Sequence, residues 1–183
     1  MKSKKIIYMI LISIIFMLIV CLSGLIFSKE EYISAVFGEK TTQNNSQYFI
    51  KEMEISELND EQLEVFEMIN NNRKENGLQE LKPSIELQKC AEIKAKDIVE
   101  KQYFSHYSPT YGTPFDLMKQ QGISYSIAGE NLAGNINSKN AVEAWMNSDS
   151  HRENILEERF KYTGIAILDS KVYGKVFVQM FIG

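Results

Sequence analysis

The two histidines of this 183-residue chain stand in "FSHYSP" (His106) and "SDSHREN" (His151), and Glu130 lies between them in "AGENLA". Two neutral imidazoles and a carboxylate are a sufficient set to hold a divalent cation, with zinc the commonest choice and an open position left for water. Alternatively, Glu130 could act as a general base or orient one imidazole. His106, Glu130 and His151 are each separated by more than 20 residues, so nothing local forces them together. Spacing alone favours scattered histidines that bond backbone groups over a shared site.

The surrounding residues place all three at element ends or connections, where functional groups cluster on a rigid scaffold. His106 sits in a loop after an amphipathic helix, among the aromatic residues of "YFSHYSP". Glu130 follows Gly129, where the backbone can turn, and precedes Asn131 at the expected end of a strand. His151 comes just after the helix containing Trp145. Asn131 reads as a structural residue that satisfies a backbone group at the strand end, and as one able to line the cleft. Ser105, Ser148 and Ser150 read as caps or cleft hydroxyls, because no strained nucleophile elbow surrounds them. Arg152 and Asn154 are expected to clamp their loop against the domain, and Trp145 to pack in the core.

The elements that must hold these residues are legible from Asn59 onward. Asn59 and Asp60 can cap a helix with Leu63, Phe66 and Ile69 on one side, closed by Gly77. A second helix begins near Ser84, with Leu87, Ala91, Ala95 and Ile98 on one face. "TPFDLMKQQG" has Thr113 as cap, Pro114 at the first helical position and Gly122 just past the end. A fourth helix in "SKNAVEAWMNS" is assigned Ser138 as its cap. "YTGIAILD" and "KVFVQMF" read as an antiparallel hairpin whose strands are apolar on both faces, so helices must cover both sides of the sheet. The expectation is a three-layer helix–sheet–helix domain, with "ISYSIAGENLA" supplying a further strand.

The amino terminus differs. Lys2, Lys4 and Lys5 precede an uncharged run, Ile6–Phe27, which at about 1.5 Å per helical residue is long enough to cross a hydrocarbon core of about 30 Å. The expectation is a single N-terminal transmembrane helix (1–27), a polar spacer (28–58) and a domain (59–183) outside the cytoplasm, or a secreted domain if the segment is cleaved. Setting aside the three anchor lysines leaves 17 basic and 24 acidic residues, a formal charge of −7, which argues against nucleic acid as a partner. Cys90 is the one cysteine beyond the apolar run, so the domain has no internal disulfide.

"YFSHYSPTYGTPFDLMKQQGISYSIAGENLA", "AVEAWMNSDSHRENILEERFKYTGIAI" and "VFVQMF" together resemble the bacterial branch of the CAP superfamily, or SCP domain, of cysteine-rich secretory proteins, antigen 5 and pathogenesis-related proteins. The resemblance covers roughly residues 61–183. It implies an α+β fold, an α-β-α sandwich with a central antiparallel sheet, and a cleft where His106, Glu130 and His151 meet. It also implies that zinc or another divalent cation is held through His106 and His151. Many eukaryotic members carry a second glutamate three residues after a helix tryptophan; here that residue is Ser148, with Asp149 and Glu153 nearby.

Three functions follow as alternatives. The favoured one is a membrane-tethered binding module whose cleft takes a small ligand, a lipid or a cell-envelope component. The second is a metal-dependent hydrolase of peptide or envelope substrates in which Glu130 activates water. The third is a purely structural trio.

Overall fold

The computed structural model describes residues 50–183; the expected membrane anchor and residues 28–49 of the expected spacer lie outside the described residues. No helix among the described residues is long and apolar enough to cross a membrane. After a 3-10 turn (Ile55–Glu57) come α1 (Asp60–Glu75), β1 (Lys82–Pro83), α2 (Ile85–Lys101), α3 (Pro114–Gln120) and β2 (Ala128–Asn135). They are followed by α4 (Ser138–Asn147), α5 (Asp149–Leu156), β3 (Tyr162–Ser170) and β4 (Gly174–Ile182).

Local chemistry starts and stops the helices. The Asn59 side chain accepts from the Gln62 amide at 2.9 Å and Gln62 answers by accepting from the Asn59 amide at 3.0 Å, a reciprocal box that opens α1. Ser84 opens α2 by accepting from the Leu87 amide at 3.3 Å, and Thr113 opens α3 by accepting from the Asp116 amide at 3.1 Å. One expected cap is corrected. Asn137, not Ser138, caps α4, accepting from the Asn140 amide at 2.8 Å. Asn137 holds the extended backbone a cap requires, whereas Ser138 is already the first helical residue and is buried.

The strand order is β1-β3-β4-β2, with β4 antiparallel to both neighbours and β1 parallel to β3. The expectation of a purely antiparallel sheet is therefore corrected at one edge. Lys82–Pro83 is too short to show alternation, and Pro83 has no amide to signal a ladder. Beyond it, the Gln88 side chain takes over: it donates to Ile165 O at 2.7 Å and accepts from Ile165 N at 3.0 Å.

The two-faced strands are covered as their pattern requires. Ile165, Phe177 and Phe181 pack with Val65, Ile69 and Trp145 of α1 and α4. Ala166, Val178 and Met180 pack on the other side with Leu87, Ala91 and Leu117 of α2 and α3. The layers are thus helix, sheet, helix, in a mixed α+β fold. α2 lies so close to β3 that a Cβ at Gly164 would collide with the backbone of Leu87 and Gln88.

Other boundaries also shift. The strand expected from Ile123 begins at Ala128, because Ser126 and Ile127 instead turn their amides onto Gly183 O at 2.8 and 3.2 Å. Glu130 is consequently the third residue of β2, not its end. His151 belongs to a separate short helix, α5, rather than to a connection. The domain also begins before residue 59: Met53 N donates to Pro83 O at 2.9 Å, and Met53 and Leu58 join the core. These apolar residues follow no regular period, so the sequence pattern did not separate them from the spacer.

Candidate functional site

The site is built on β2, an edge strand. Leu132 faces the α2–α3 layer and Ala133 faces the α4–α5 layer, so Glu130 and Asn131, two positions earlier, point to opposite sides. Glu130 Oε1 lies 2.7 Å from His106 Nδ1. Asn131 Nδ2 donates to His151 O at 3.1 Å. Asn154 Nδ2 ties the two together, donating to Asn131 Oδ1 at 2.9 Å and to Glu130 O at 3.2 Å. One strand therefore carries both histidine walls, each a single hydrogen bond away. Gly129 permits this approach: a Cβ there would stand 2.9 Å from Asn154 Oδ1 and 3.0 Å from Phe160. Its role is close packing, not a sharp turn.

The His106 wall is a loop held by buried charge. α2 ends at Gln102 in the left-handed conformation, with φ 54°, and the chain turns back beneath its own helix. Lys94, 1 % exposed, donates from Nζ to Ser105 O and His106 O, both at 2.8 Å, and to the Tyr103 hydroxyl at 3.2 Å. Asp97 receives the hydroxyls of Tyr103 and Ser108, both at 2.6 Å, and of Thr110 at 2.7 Å. Burial works to raise the Asp97 pKa, but these hydrogen bonds and the Lys94 charge outweigh it and hold the carboxyl below its usual range. Burial pulls the Lys94 ammonium down, against the raising pull of Glu130 and Asp97. The sequence reading did not single out Lys94 or Asp97. A signal was present, since Lys94 lies three residues after Ala91 and four before Ile98, on the apolar stripe of α2.

The His151 wall is the first turn of α5. Ser148 Oγ lies 2.9 Å from His151 Nδ1. Arg152 donates to Met146 O at 2.9 Å and to Asp149 at 2.6 Å, clamping α5 onto the end of α4. The Trp145 indole donates to Leu132 O at 2.9 Å, so this core residue also caps an outward carbonyl of the edge strand. Asp149 is 88 % exposed and Glu153 is exposed, so neither replaces a second glutamate in the site. Ser105 accepts from the Tyr107 amide at 3.1 Å, a turn role. Asn131 is fully buried against α5 and does not line a cleft; its bonds to His151 O and Asn154 consume its amide.

Glu130 is the most buried member of the trio, its side chain 1 % exposed while that of His106 is 55 % exposed. Burial raises the Glu130 pKa, while the His106 hydrogen bond and the Lys94 charge pull it back. Its Oε2 is buried without a hydrogen-bond partner among the described residues. Burial lowers the His151 pKa, and the charge of His106 lowers it further. Each ring commits Nδ1 to an internal partner, which leaves Nε2 as its remaining ligating atom. An ionised Glu130 only accepts, so in a neutral His106 ring the proton sits on Nδ1 and the lone pair on Nε2.

Among the described residues, no group of three or more His, Cys, Asp or Glu side chains is placed to hold a metal ion. The Glu130 carboxylate stands behind the His106 ring, on its Nδ1 side, a placement that can orient an imidazole. Two imidazole nitrogens are the donor type that zinc takes. Two surface depressions lie elsewhere. One, of about 280 Å³, is lined by Ile55, Phe66 and Glu67, and one, of about 470 Å³, by Leu78, Arg152 and Leu156. Neither is lined by His106 or His151.

The sequence profile of the cysteine-rich secretory protein family, CAP, matches residues 66–181. YkwD of Bacillus subtilis is 46 % identical over 120 residues, 65 % of this chain and 46 % of that protein. YlbC of the same organism, described as a membrane protein, is 31 % identical over 117 residues, 63 % of this chain and 34 % of that one. The chain thus matches less than half the length of these curated relatives. An extracellular SCP-domain protein from Bacillus anthracis superposes with a TM-score of 0.61 at 31 % identity, covering 66 % of this chain and 41 % of that one. An outer surface protein of Borrelia burgdorferi shares the fold, with a TM-score of 0.63 at 24 % identity over 73 % of this chain and 98 % of that one. With its helix–sheet–helix layers, its edge-strand His–Glu pair and a profile match spanning most of the folded region, this chain belongs to the CAP family.

Proposed function

We propose that this protein is a membrane-tethered, extracytoplasmic binding module that takes a divalent cation, zinc first among them, between Nε2 of His106 and Nε2 of His151. The observation that carries the reading is the use of Nδ1 by both rings, on Glu130 and on Ser148. Fixing one nitrogen sets the ring and its tautomer, so that the other can ligate without further ordering cost. A bound cation would supply a Lewis-acidic docking point for an oxygen of a small, lipid or cell-envelope ligand. The uncharged run Ile6–Phe27 and its lysine flank support tethering with the domain outside. The surface or extracellular descriptions of its structural relatives agree with that placement.

Binding is favoured over hydrolysis by the position of Glu130. A general base must come within hydrogen-bond reach of the water it activates. Glu130 has one oxygen on His106 and a side chain 1 % exposed, which suits orienting work. The test is zinc titration of the full chain by calorimetry. His106→Ala and His151→Ala should each abolish tight binding, and Glu130→Gln should weaken it by about 10–100-fold. Unchanged zinc affinity in both alanine variants would sink the reading, and zinc-dependent peptide or envelope hydrolysis lost in Glu130→Gln would favour the enzyme.

A further inference from the structure

The buried ammonium of Lys94 has no counterpart in the two-imidazole site as described, yet it touches the loop that presents His106. A lysine at 1 % exposure is costly unless its donors are satisfied and its charge is balanced. Lys94 meets both conditions with groups belonging to the site. Its Nζ reaches the carbonyls of Ser105 and His106 at 2.8 Å each, and the Tyr103 hydroxyl at 3.2 Å. Glu130 and Asp97 act on it as the opposing charges.

We infer that Lys94 is the positioning residue of the His106 wall. By binding the carbonyl of His106 itself and that of the residue before it, the ammonium fixes where the imidazole leaves the backbone. The ring then meets Glu130 through Nδ1 and keeps Nε2 for a ligand. The loop has little regular structure of its own to do this: its backbone ladder is the single Ser108–Gly112 bridge. Asp97 completes the device from one turn along α2, binding Tyr103, Ser108 and Thr110 so that the loop is held on both sides of His106. Among the described residues, the Lys94 hydrogen bonds go to Tyr103, Ser105 O and His106 O and to neither imidazole ring. It acts through the backbone and through the charge it presents to Glu130.

The inference rests on the two-imidazole reading for its affinity readout, and a second readout separates the two. Because the chain has two histidines, isotope labelling of histidine gives two ring systems to follow by NMR in the full-length, metal-free protein. In Lys94→Met the His106 ring should lose its hydrogen-bonded Nδ1 signature while the His151 ring keeps its own, and zinc affinity should fall by at least about tenfold. Lys94→Arg keeps the charge but displaces the donors, so it should restore part of both readouts. If Lys94→Met does not fold, Lys94→Arg decides alone: the inference requires a His106 ring shift with the His151 ring unmoved. A His106 signature unchanged by either substitution would overturn it. If the parent protein binds no zinc, the two-imidazole reading fails while the ring spectra still decide the role of Lys94.

Discussion

The two histidine walls meet on one strand but are made rigid in different ways. His151 stands on α5, whose backbone hydrogen bonds are supplied largely within the helix; neutral amides dock its first turn, Asn131 on His151 O and Asn154 on the strand, and the charged groups act at its ends, Arg152 at the start and the buried Arg73 on Ile155 O at 2.7 Å. His106 stands on a loop, and there the fold uses two buried charges, Lys94 and Asp97, to satisfy backbone and hydroxyl groups that no regular element pairs. The difference follows from where backbone hydrogen bonds can be made. Buried backbone carbonyls need donors, and where the chain is irregular side chains must provide them.

The strongest way to break the comparison is to lift α2 away from the sheet. Gly164→Ala places a methyl group into the backbone of Leu87 and Gln88, and should cost about 3 kcal/mol in urea unfolding, a large overpacking penalty because backbone cannot yield as a side chain can. The His106 wall, built on α2, should be disturbed more than the His151 wall, as read from the two ring spectra. Asn154→Ala attacks the other side. It removes the donor to Asn131 Oδ1 and Glu130 O, leaves a buried amide short of a partner, and should cost about 2 kcal/mol by the same measurement. This variant should move the His151 ring first.

Acid sharpens the contrast at smaller amplitude. The Asp97 pKa is depressed in the folded state, so the unfolded chain binds more protons in the window below its ordinary value of 3.8. Its stabilising contribution is therefore complete above that value and is lost as pH falls through the depressed folded pKa. Asp97→Asn should flatten that part of the stability–pH curve, and Asn154→Ala should leave it in place. The smallest expected effect on stability is that of Ser148→Ala. Ser148 makes no side-chain cap bond to α5, so unfolding should change by less than about 0.5 kcal/mol. Zinc affinity should nevertheless drop by about tenfold, because His151 Nδ1 loses its partner. A loss of stability without a loss of affinity would make Ser148 structural.

Much of the scaffold was legible because its signals are local. The stripe Leu87–Ala91–Ala95–Ile98 and the caps at Asn59, Ser84 and Thr113 depend on residues within a turn or two, and the hairpin strands show both faces within nine residues each. The misplacements were also local in origin. Ser138 and Asn137 are both good caps, and backbone conformation chose between them. β1 is two residues long, and α5 follows α4 with a single residue between, so neither length nor punctuation announced them.

What the sequence determined by itself was which residues could carry chemistry, two histidines and one glutamate, and the elements that bear them. The tertiary structure decided which atoms remain for a ligand and which groups do the holding. Glu130 reaches His106 across 24 positions and Asn131 reaches His151 across 20, distances over which no periodicity operates. The alternation of an edge strand sends these neighbours to opposite layers, and the buried Glu130 carboxylate stands behind the His106 ring, on its Nδ1 side. Lys94 shows the same division. Its place on an apolar stripe was written in the chain, but the carbonyls that make its burial tolerable exist only once the loop has folded back over α2.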